Sequence, residues 1–147
     1  MLTVSIGDRL VGDGHPCFII AEAGANHDGS LGQAKALIDI AAEARADAVK
    51  FQVYRAHRLY VKDAGTSDYL KVQRSIYDII EELEVPYEWI PELAQYSESH
   101  GLYFMATPFD EESTDRVDPY VRVHKVASYE MTHLPLVRHI ALKGKPT

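Results

Sequence analysis

The chain has 147 residues, of which 46% are hydrophobic and 25% are charged, so it is long enough to bury the core of one ordinary domain. Its net charge of −7 and the lack of a basic block argue against nucleic acid as the main partner. No segment has the apolar length of a membrane span or a signal peptide, so we expect a cytoplasmic protein with no membrane partner.

The first predicted elements are a hairpin and a βαβ unit. Residues 2–15 alternate weakly around a Gly-Asp turn, which predicts a small hairpin with an expected role as a lid. Cys17 has no disulfide partner in the chain and is expected to be an inert core thiol. Apolar runs at 18–23 and 48–54 have strand length, and a capping box beginning at Ser30 starts a helix between them. Two buried strands joined by a helix predict a parallel sheet.

The rest of the chain continues this alternation of strands and helices. The predicted elements are a polar loop over 55–68, helices over 69–84 and 88–100, a strand over 102–107, a short helix over 110–118, a fourth strand over 120–128 and a last helix over 134–143. The pattern fits an open doubly wound sheet or a (β/α) barrel, and the lack of a glycine-rich phosphate loop weakens the nucleotide-binding sheet. A complete barrel takes roughly 250 residues, so the chain would supply half of one.

Polar residues recur near the carboxyl ends of the predicted strands, which is where barrel enzymes build their sites. Ammonium and hydroxyl groups gathered there could hold a phosphate or a carboxylate. The alternative is a set of internal ion pairs, Lys50 with Glu22 or Lys125 with Glu130. Because the feature recurs on four predicted strands, we favour a site. Its residues are Glu22, Lys50, Gln52, Thr107, Lys125 and Ser128.

Two further patterns are less informative. The run Asn26-His27-Asp28-Gly29 is either a substrate loop or a tight turn before the capped helix, and the turn is favoured. The seven histidines form no H-x-H or H-x-x-x-H pair, so we predict no metal site in this chain.

Six ordered segments resemble the N-terminal half of the sialic acid synthase family. They are AEAGANHDG, ADAVKFQ, SIYDII, ATPFD, KVASYE and LPLVRHIALKGKP, and the resemblance covers nearly all of residues 16–147. It implies an α/β fold of the TIM-type (β/α)₈ barrel class, of which this chain supplies about the first four β/α units. Residues 1–16 would form the N-terminal hairpin and residues 17–147 the incomplete barrel. In the complete enzymes a small antifreeze-like domain follows and reaches the partner's active site in a homodimer.

The resemblance also implies an activity and roles for the candidate residues. Enzymes of this family condense phosphoenolpyruvate with an N-acetylated amino sugar to give a nonulosonic acid and phosphate. A divalent metal, Mn or Mg, polarises the sugar aldehyde, and its ligands lie outside this chain. By resemblance, the residues that hold the phosphate and carboxylate of phosphoenolpyruvate are Lys50, Thr107, Lys125 and Ser128. The residue placed near the sugar is Gln52, and Asn26 is a further substrate-binding candidate. The catalytic carboxylates are Glu22, which guides the sugar, and Glu130, which orients the water that adds at C2.

Two departures leave the sugar open. Tyr129 stands where sialic acid synthases proper usually have glycine, and an aromatic residue there resembles the branch that makes pseudaminic or legionaminic acid or spore-coat sugars. The family's sugar-contacting asparagine is not evident upstream of SIYDII, where Lys71 lies. The alternatives are another barrel aldolase, an eight-carbon sugar-acid phosphate synthase, or a truncated, non-catalytic half-barrel. The isolated chain is expected to be inactive.

Overall fold

The structure, a computed structural model, describes residues 2–66 and 74–147. A two-stranded antiparallel hairpin comes first and a three-stranded parallel sheet follows, with its middle strand between the other two. The strands are β1 (Thr3–Ile6), β2 (Arg9–Gly12), β3 (Ile20–Gly24), β4 (Ala48–Val53) and β5 (Tyr103–Pro108). The helices are α1 (Leu31–Glu43), α2 (Ala56–Leu59), α3 (Ile76–Glu82), α4 (Ile90–Ser99), α5 (Glu111–Val117) and α6 (Leu134–Ala141).

The predicted βαβ unit is present between β3 and β4. The Ser30 side chain accepts a hydrogen bond from the backbone N–H of Gln33 at 3.3 Å and thereby caps α1. The buried face of α1 consists of small and branched residues, Ala34, Ile38 and Ala41. Because α1 carries the chain back to the starting end of β3, β4 pairs with β3 in parallel.

The two faces of the sheet pack against different parts of the chain. Val49, Phe51 and Val53 of β4 belong to the main core, together with buried residues of α1 and α4. Side chains alternate along a strand, so Ala48, Lys50 and the residues in step with them occupy the other face. Ala48 packs there in a smaller cluster that the hairpin joins through Ile6.

The hairpin covers the amino end of this second face. Arg9 forms an ion pair at 2.7 Å with Asp47, which lies immediately before β4. The hydroxyl of Tyr103, the first residue of β5, donates a hydrogen bond to Asp8. The predicted hairpin is therefore present, and it leaves the carboxyl end of the sheet open. The lid role and the division of the chain at residue 16 stay predictions.

The fourth predicted strand, residues 120–128, is wrong: no ladder is formed there. The segment lies between single turns of 3₁₀ helix at Asp118–Tyr120 and Ser128–Glu130. Within it, the backbone N–H of His124 donates to the carbonyl of Pro146 at 2.8 Å instead of to β5. Val121 and Val123 are nevertheless buried. An apolar run indicates burial, and burial does not require strand pairing.

Smaller differences concern the loop after β4 and the next helix. The predicted loop over 55–68 contains α2, and α3 begins at Ile76 and not at residue 69. Ser75 forms an isolated antiparallel bridge with Thr66, so its extended backbone stands before the helix and its side chain caps it. The remainder of that helix prediction, including Lys71, falls outside the described residues.

Cys17 is exposed, so its prediction as a core thiol is wrong; it lies before β3, where the chain has not yet entered the sheet. Within residues 2–66 and 74–147, no helix has both the length and the apolar character needed to cross a bilayer.

The cap of α5 gives a stability prediction. Asp110 is buried, and its carboxylate accepts hydrogen bonds from the backbone N–H and the side-chain hydroxyl of Ser113 at 2.8 and 2.7 Å. We expect Asp110→Ala to lower the free energy of unfolding by about 1–2 kcal/mol, measured by urea denaturation. The control Glu111→Ala, at an exposed position of the same turn, should change it by about 0.5 kcal/mol or less. Equal effects of the two substitutions would contradict the capping role.

Candidate functional site

The candidate site lies at the carboxyl end of the parallel sheet, on the face turned away from α1 and α4. The strand register places Glu22 of β3 directly opposite Lys50 of β4. One pleat further along, Gln52 of β4 lies opposite Thr107 of β5. Because residues two apart on one strand share a face, these four side chains form one polar row across three neighbouring strands.

An ion pair joins the first two members of this row. The Lys50 ammonium donates to the Glu22 carboxylate. Only 11% of the Lys50 side chain is exposed, against 52% for Glu22. A buried ammonium without a partner would be costly, so the pair explains how a lysine is accommodated in a strand of which five of six residues are buried. The internal pair that the sequence offered as an alternative is therefore present, with one of its two partners open to solvent.

The second internal pair considered from the sequence is absent from the described part of the chain. The Lys125 ammonium instead donates to the backbone carbonyl of Val126. Glu130 lies 3.6 Å from His133, and only 15% of its side chain is exposed. Lys125 thus has a neutral partner, in contrast to Lys50.

The other predicted site residues differ in burial and in position. Thr107 is buried, whereas Ser128 is exposed on the 3₁₀ turn that follows the irregular segment. Glu130, on the same turn, lines a pocket with residues that follow β4 and β5, so it does reach the carboxyl end of the sheet. The Asn26 side chain donates to the carbonyl of Ala23 at 2.9 Å, and residues 25–29 form the tight turn favoured from the sequence.

His27 is a buried residue of this region whose role the sequence did not reveal. Its Nδ1 accepts from the backbone N–H of Gly29 at 3.1 Å, so Nε2 carries the proton and donates to the carbonyl of Leu83 at 3.2 Å. Its ring meets Trp89 edge-on at 5.8 Å between centroids. Burial lowers the pKa of His27, although the carbonyl of Leu83 acts against this shift. The histidine therefore fastens the loop after β3 to the end of α3.

The loop after β4 is fastened to the same place. The Tyr54 hydroxyl also donates to the Leu83 carbonyl, at 3.2 Å, and burial raises the pKa of Tyr54 to about 12. Glu84 accepts from the backbone N–H of Ala56 at 2.6 Å and pairs with Arg55 at 3.4 Å. The nearby Glu81 and Glu82 are exposed. The acidic run in the sequence therefore did not indicate that Glu84 anchors the loop.

The donor side chains of the described residues decide whether a divalent metal fits here. In the described ranges, no three His, Cys, Asp or Glu side chains are grouped so that they could hold an ion. The residues present in this part of the chain therefore do not form a metal site.

The neutral form of His27 gives a pH prediction. The unfolded chain binds a proton at this histidine below about pH 6.5, whereas the folded chain binds it only at lower pH. Because the unfolded state then binds more protons, the free energy of unfolding should fall as the pH drops below about 6.5. In His27→Gln this part of the loss should disappear, measured by urea denaturation between about pH 7.5 and 5.5.

The control for this experiment is His57→Gln, at an exposed position. It should keep the pH dependence of the original protein. His124, whose pKa burial also lowers, contributes equally in all three proteins. An unchanged slope in His27→Gln would contradict a buried, neutral His27.

Known proteins are similar to this chain over nearly its whole length. Residues 37–147 match the sequence model of the NeuB family. The chain is 45% identical over 148 residues to the spore coat polysaccharide biosynthesis protein SpsE of Bacillus subtilis, covering 99% of this chain and 40% of SpsE. It is 39% identical over 145 residues to the N,N'-diacetyllegionaminic acid synthase of Legionella pneumophila, covering 95% of this chain and 41% of that protein. The chain thus spans about two fifths of the length of these relatives.

A solved structure gives the same result. The sialic acid synthetase of Leptospira borgpetersenii, in complex with citrate, superposes with a TM-score of 0.85 at 29% identity, over 98% of this chain and 47% of that one. The α/β fold with a parallel sheet is confirmed, and the parallel sheet of the described residues has three of the eight strands that a closed barrel would need. The resemblance found in the sequence is confirmed: the chain belongs to the NeuB family.

Proposed function

We propose that this chain supplies the phosphoenolpyruvate-binding part of a nonulosonic acid synthase. Such an enzyme joins phosphoenolpyruvate to an N-acetylated hexosamine-type sugar and releases phosphate. The observation that carries the proposal is the polar row of Glu22, Lys50, Gln52 and Thr107 at the carboxyl end of the sheet. Membership of the NeuB family supports it, since relatives include synthases of diacetyllegionaminic and pseudaminic acid.

Binding of a highly charged anion requires local cations, because the chain as a whole carries a net charge of −7. Lys50 would supply one of them, and Thr107, in the same row, would add a hydroxyl donor. Lys125 would supply a second, since its described partner is an uncharged carbonyl. Ser128, exposed three residues later, completes the proposed anion-binding set.

The existing ion pair determines how Lys50 would meet the substrate. The phosphate or carboxylate of phosphoenolpyruvate must compete with Glu22 for the ammonium group. Half of the Glu22 side chain is exposed, so its carboxylate can move away into solvent or towards the sugar without losing a buried position. The pair then acts as a placeholder that neutralises Lys50 until the substrate arrives.

The two carboxylates would act on the reacting carbons. C3 of phosphoenolpyruvate attacks the aldehyde carbon, the aldehyde oxygen takes a proton, and water adds at the cationic C2. The C2–O bond to phosphate then breaks and leaves a keto acid. Glu130 would orient the water and stabilise the positive C2, while Glu22 would guide the sugar. Gln52 and Asn26 would contact the sugar.

The metal, the oligomeric state and the cellular location that the resemblance implies complete the proposal. The divalent metal, Mn or Mg, that the resemblance implies would polarise the sugar aldehyde in the complete enzyme. Within residues 2–66 and 74–147, no group of donor side chains fits that ion. A homodimer and a cytoplasmic location belong to the same proposal.

Removal of the Lys50 charge tests the proposal. In the complete gene product that contains this chain, Lys50→Met should lower kcat/KM for phosphoenolpyruvate by roughly 100-fold, because one preorganised donor to the anion is lost. The measurement is phosphate release from phosphoenolpyruvate in the presence of an N-acetylated hexosamine.

Lys35→Met is the matched control, since Lys35 pairs with Glu92 on the outer surface. It should leave kcat/KM unchanged. Equal activity of the two variants would contradict a role for Lys50 in anion binding. A covalent adduct after treatment with pyruvate and borohydride would instead identify an aldolase that works through a Schiff base.

A further inference from the structure

The segment that carries Lys125 forms no β-ladder with the described residues. Residues 121–127 lie between two single turns of 3₁₀ helix and have no regular structure. On one side of this segment, Val123 belongs with Ala48 and Met105 to the smaller cluster, on the face of the sheet that carries the polar row. Because no ladder holds the backbone, the placement of Lys125 depends on bonds made by its neighbours along the chain.

His124 supplies two of these bonds. Its backbone N–H donates to the carbonyl of Pro146 at 2.8 Å, beyond the end of α6. Its side chain is fully buried, and Nε2 lies 3.0 Å from a carboxylate oxygen of Asp118. Because a carboxylate only accepts hydrogen bonds, Nε2 carries the proton and is the donor. His124 therefore ties its segment both to the 3₁₀ turn before it and to the chain after α6.

Asp118 joins the same two parts of the chain. The Lys145 ammonium lies 2.9 Å from the carboxylate oxygen that accepts from His124, and it also donates to the backbone carbonyl of Asp118. Burial would raise the pKa of Asp118, but the hydrogen bonds from Lys145 and His124 outweigh burial and lower this pKa. The carboxylate thus stays charged at neutral pH and holds both donors.

The buried imidazole has a cost that packing alone does not explain. Within residues 2–66 and 74–147, Nδ1 of His124 is buried and has no hydrogen-bond partner. An unsatisfied buried acceptor destabilises the folded state, and a phenylalanine ring of similar size would avoid this loss. Burial lowers the pKa of His124, against the hydrogen bond to Asp118, which favours the neutral ring. The polar contribution of the imidazole is therefore its one N–H, which is directed at Asp118.

We propose that His124 is a positioning residue that fixes Lys125, the next residue along the chain, for anion binding. The two bonds of His124 hold the backbone from which the Lys125 side chain extends, so loss of the imidazole N–H would let the ammonium move. The enclosed ring acts through Lys125 and does not contact the substrate. The inference rests on the proposed function, in which Lys125 is the second cation that binds phosphoenolpyruvate, and adds a residue from outside the candidate set.

The test is a double-mutant cycle on phosphoenolpyruvate binding in the complete gene product. Isothermal titration calorimetry gives Kd for the original protein, His124→Phe, Lys125→Met and the double variant. We expect His124→Phe to raise Kd about tenfold, the lower end of what one hydrogen bond to a charged group contributes. In the Lys125→Met background the same substitution should have no further effect, because the ammonium that His124 positions is then absent.

Two variants separate the lost N–H donor from a general disturbance. His124→Gln, which keeps an N–H donor, should give a Kd within about threefold of the original value. His139→Phe is the matched control, because Nε2 of His139 also lies 2.7 Å from a carboxylate, that of Asp115, on the outer surface. It should leave Kd unchanged.

Stability and the other partner of the hydrogen bond give two further readouts. The melting temperature of His124→Phe should be unchanged or higher, because the substitution removes a buried acceptor without a partner while Lys145 still pairs with Asp118. Asp118→Ala, at a partly exposed position, should also raise Kd about tenfold. If His124→Phe does not fold, the effect of Asp118→Ala with and without Lys125 decides in the same way.

The outcomes separate this inference from the proposed function. If His124→Phe leaves Kd unchanged, or raises it equally with and without Lys125, the positioning role is refuted and the synthase function stands. A lower melting temperature of His124→Phe with an unchanged Kd would assign the ring to packing and also refute the role. An unchanged Kd in Lys125→Met would remove the anion-binding role of Lys125 and the inference with it. If the original protein does not bind phosphoenolpyruvate, the proposed function itself fails.

Discussion

The ion pair between Lys50 and Glu22 is the constraint on which the candidate site depends. Lys50 lies in β4, where five of six residues are buried, and its neighbours along the chain, Val49 and Phe51, are fully buried in the main core. A lysine in this position needs a partner on a neighbouring strand, and the β3–β4 register supplies it. A slip of one residue would turn Lys50 towards the helices and the core residues towards the site. The pairing of strands and the chemistry of the site are thus fixed together.

The loops above the sheet share a common anchor at the end of α3. The carbonyl of Leu83 accepts hydrogen bonds from His27, after β3, and from Tyr54, at the end of β4. The adjacent Glu84 holds the first turn of α2 through Ala56. Two neighbouring loops that frame the polar row are therefore held by one short stretch of chain. Because α2 ends at a wall of the pocket that Tyr129 and Glu130 also line, the same anchor supports the polar row and that pocket.

Much of this arrangement could be predicted from the sequence because local patterns determined it. The capping box at Ser30 and the apolar runs that form β3 and β4 identified the βαβ unit, and the polar residues within the runs of β3, β4 and β5 identified the row of candidate side chains. The segment 120–128 could not be assigned in this way. Its valines are buried without strand pairing, and hydropathy reports only the burial.

The roles of single polar residues could not be predicted from the sequence either. His27 and Glu84 act through bonds to residues 56 and 28 positions away in sequence, and no spacing rule connects such partners. Cys17 precedes the apolar run that begins at residue 18, and this neighbourhood predicts burial. The sheet begins only at Ile20, so Cys17 is exposed. The catalytic and binding roles proposed for the row come from the family resemblance.

The most direct test is a crystal structure of the complete gene product with phosphoenolpyruvate bound. We predict a phosphate or carboxylate oxygen within hydrogen-bonding distance of the Lys50 ammonium, with Thr107 nearby and the Glu22 carboxylate displaced from the pair. An intact pair between Lys50 and Glu22, with phosphoenolpyruvate bound elsewhere, would contradict the account.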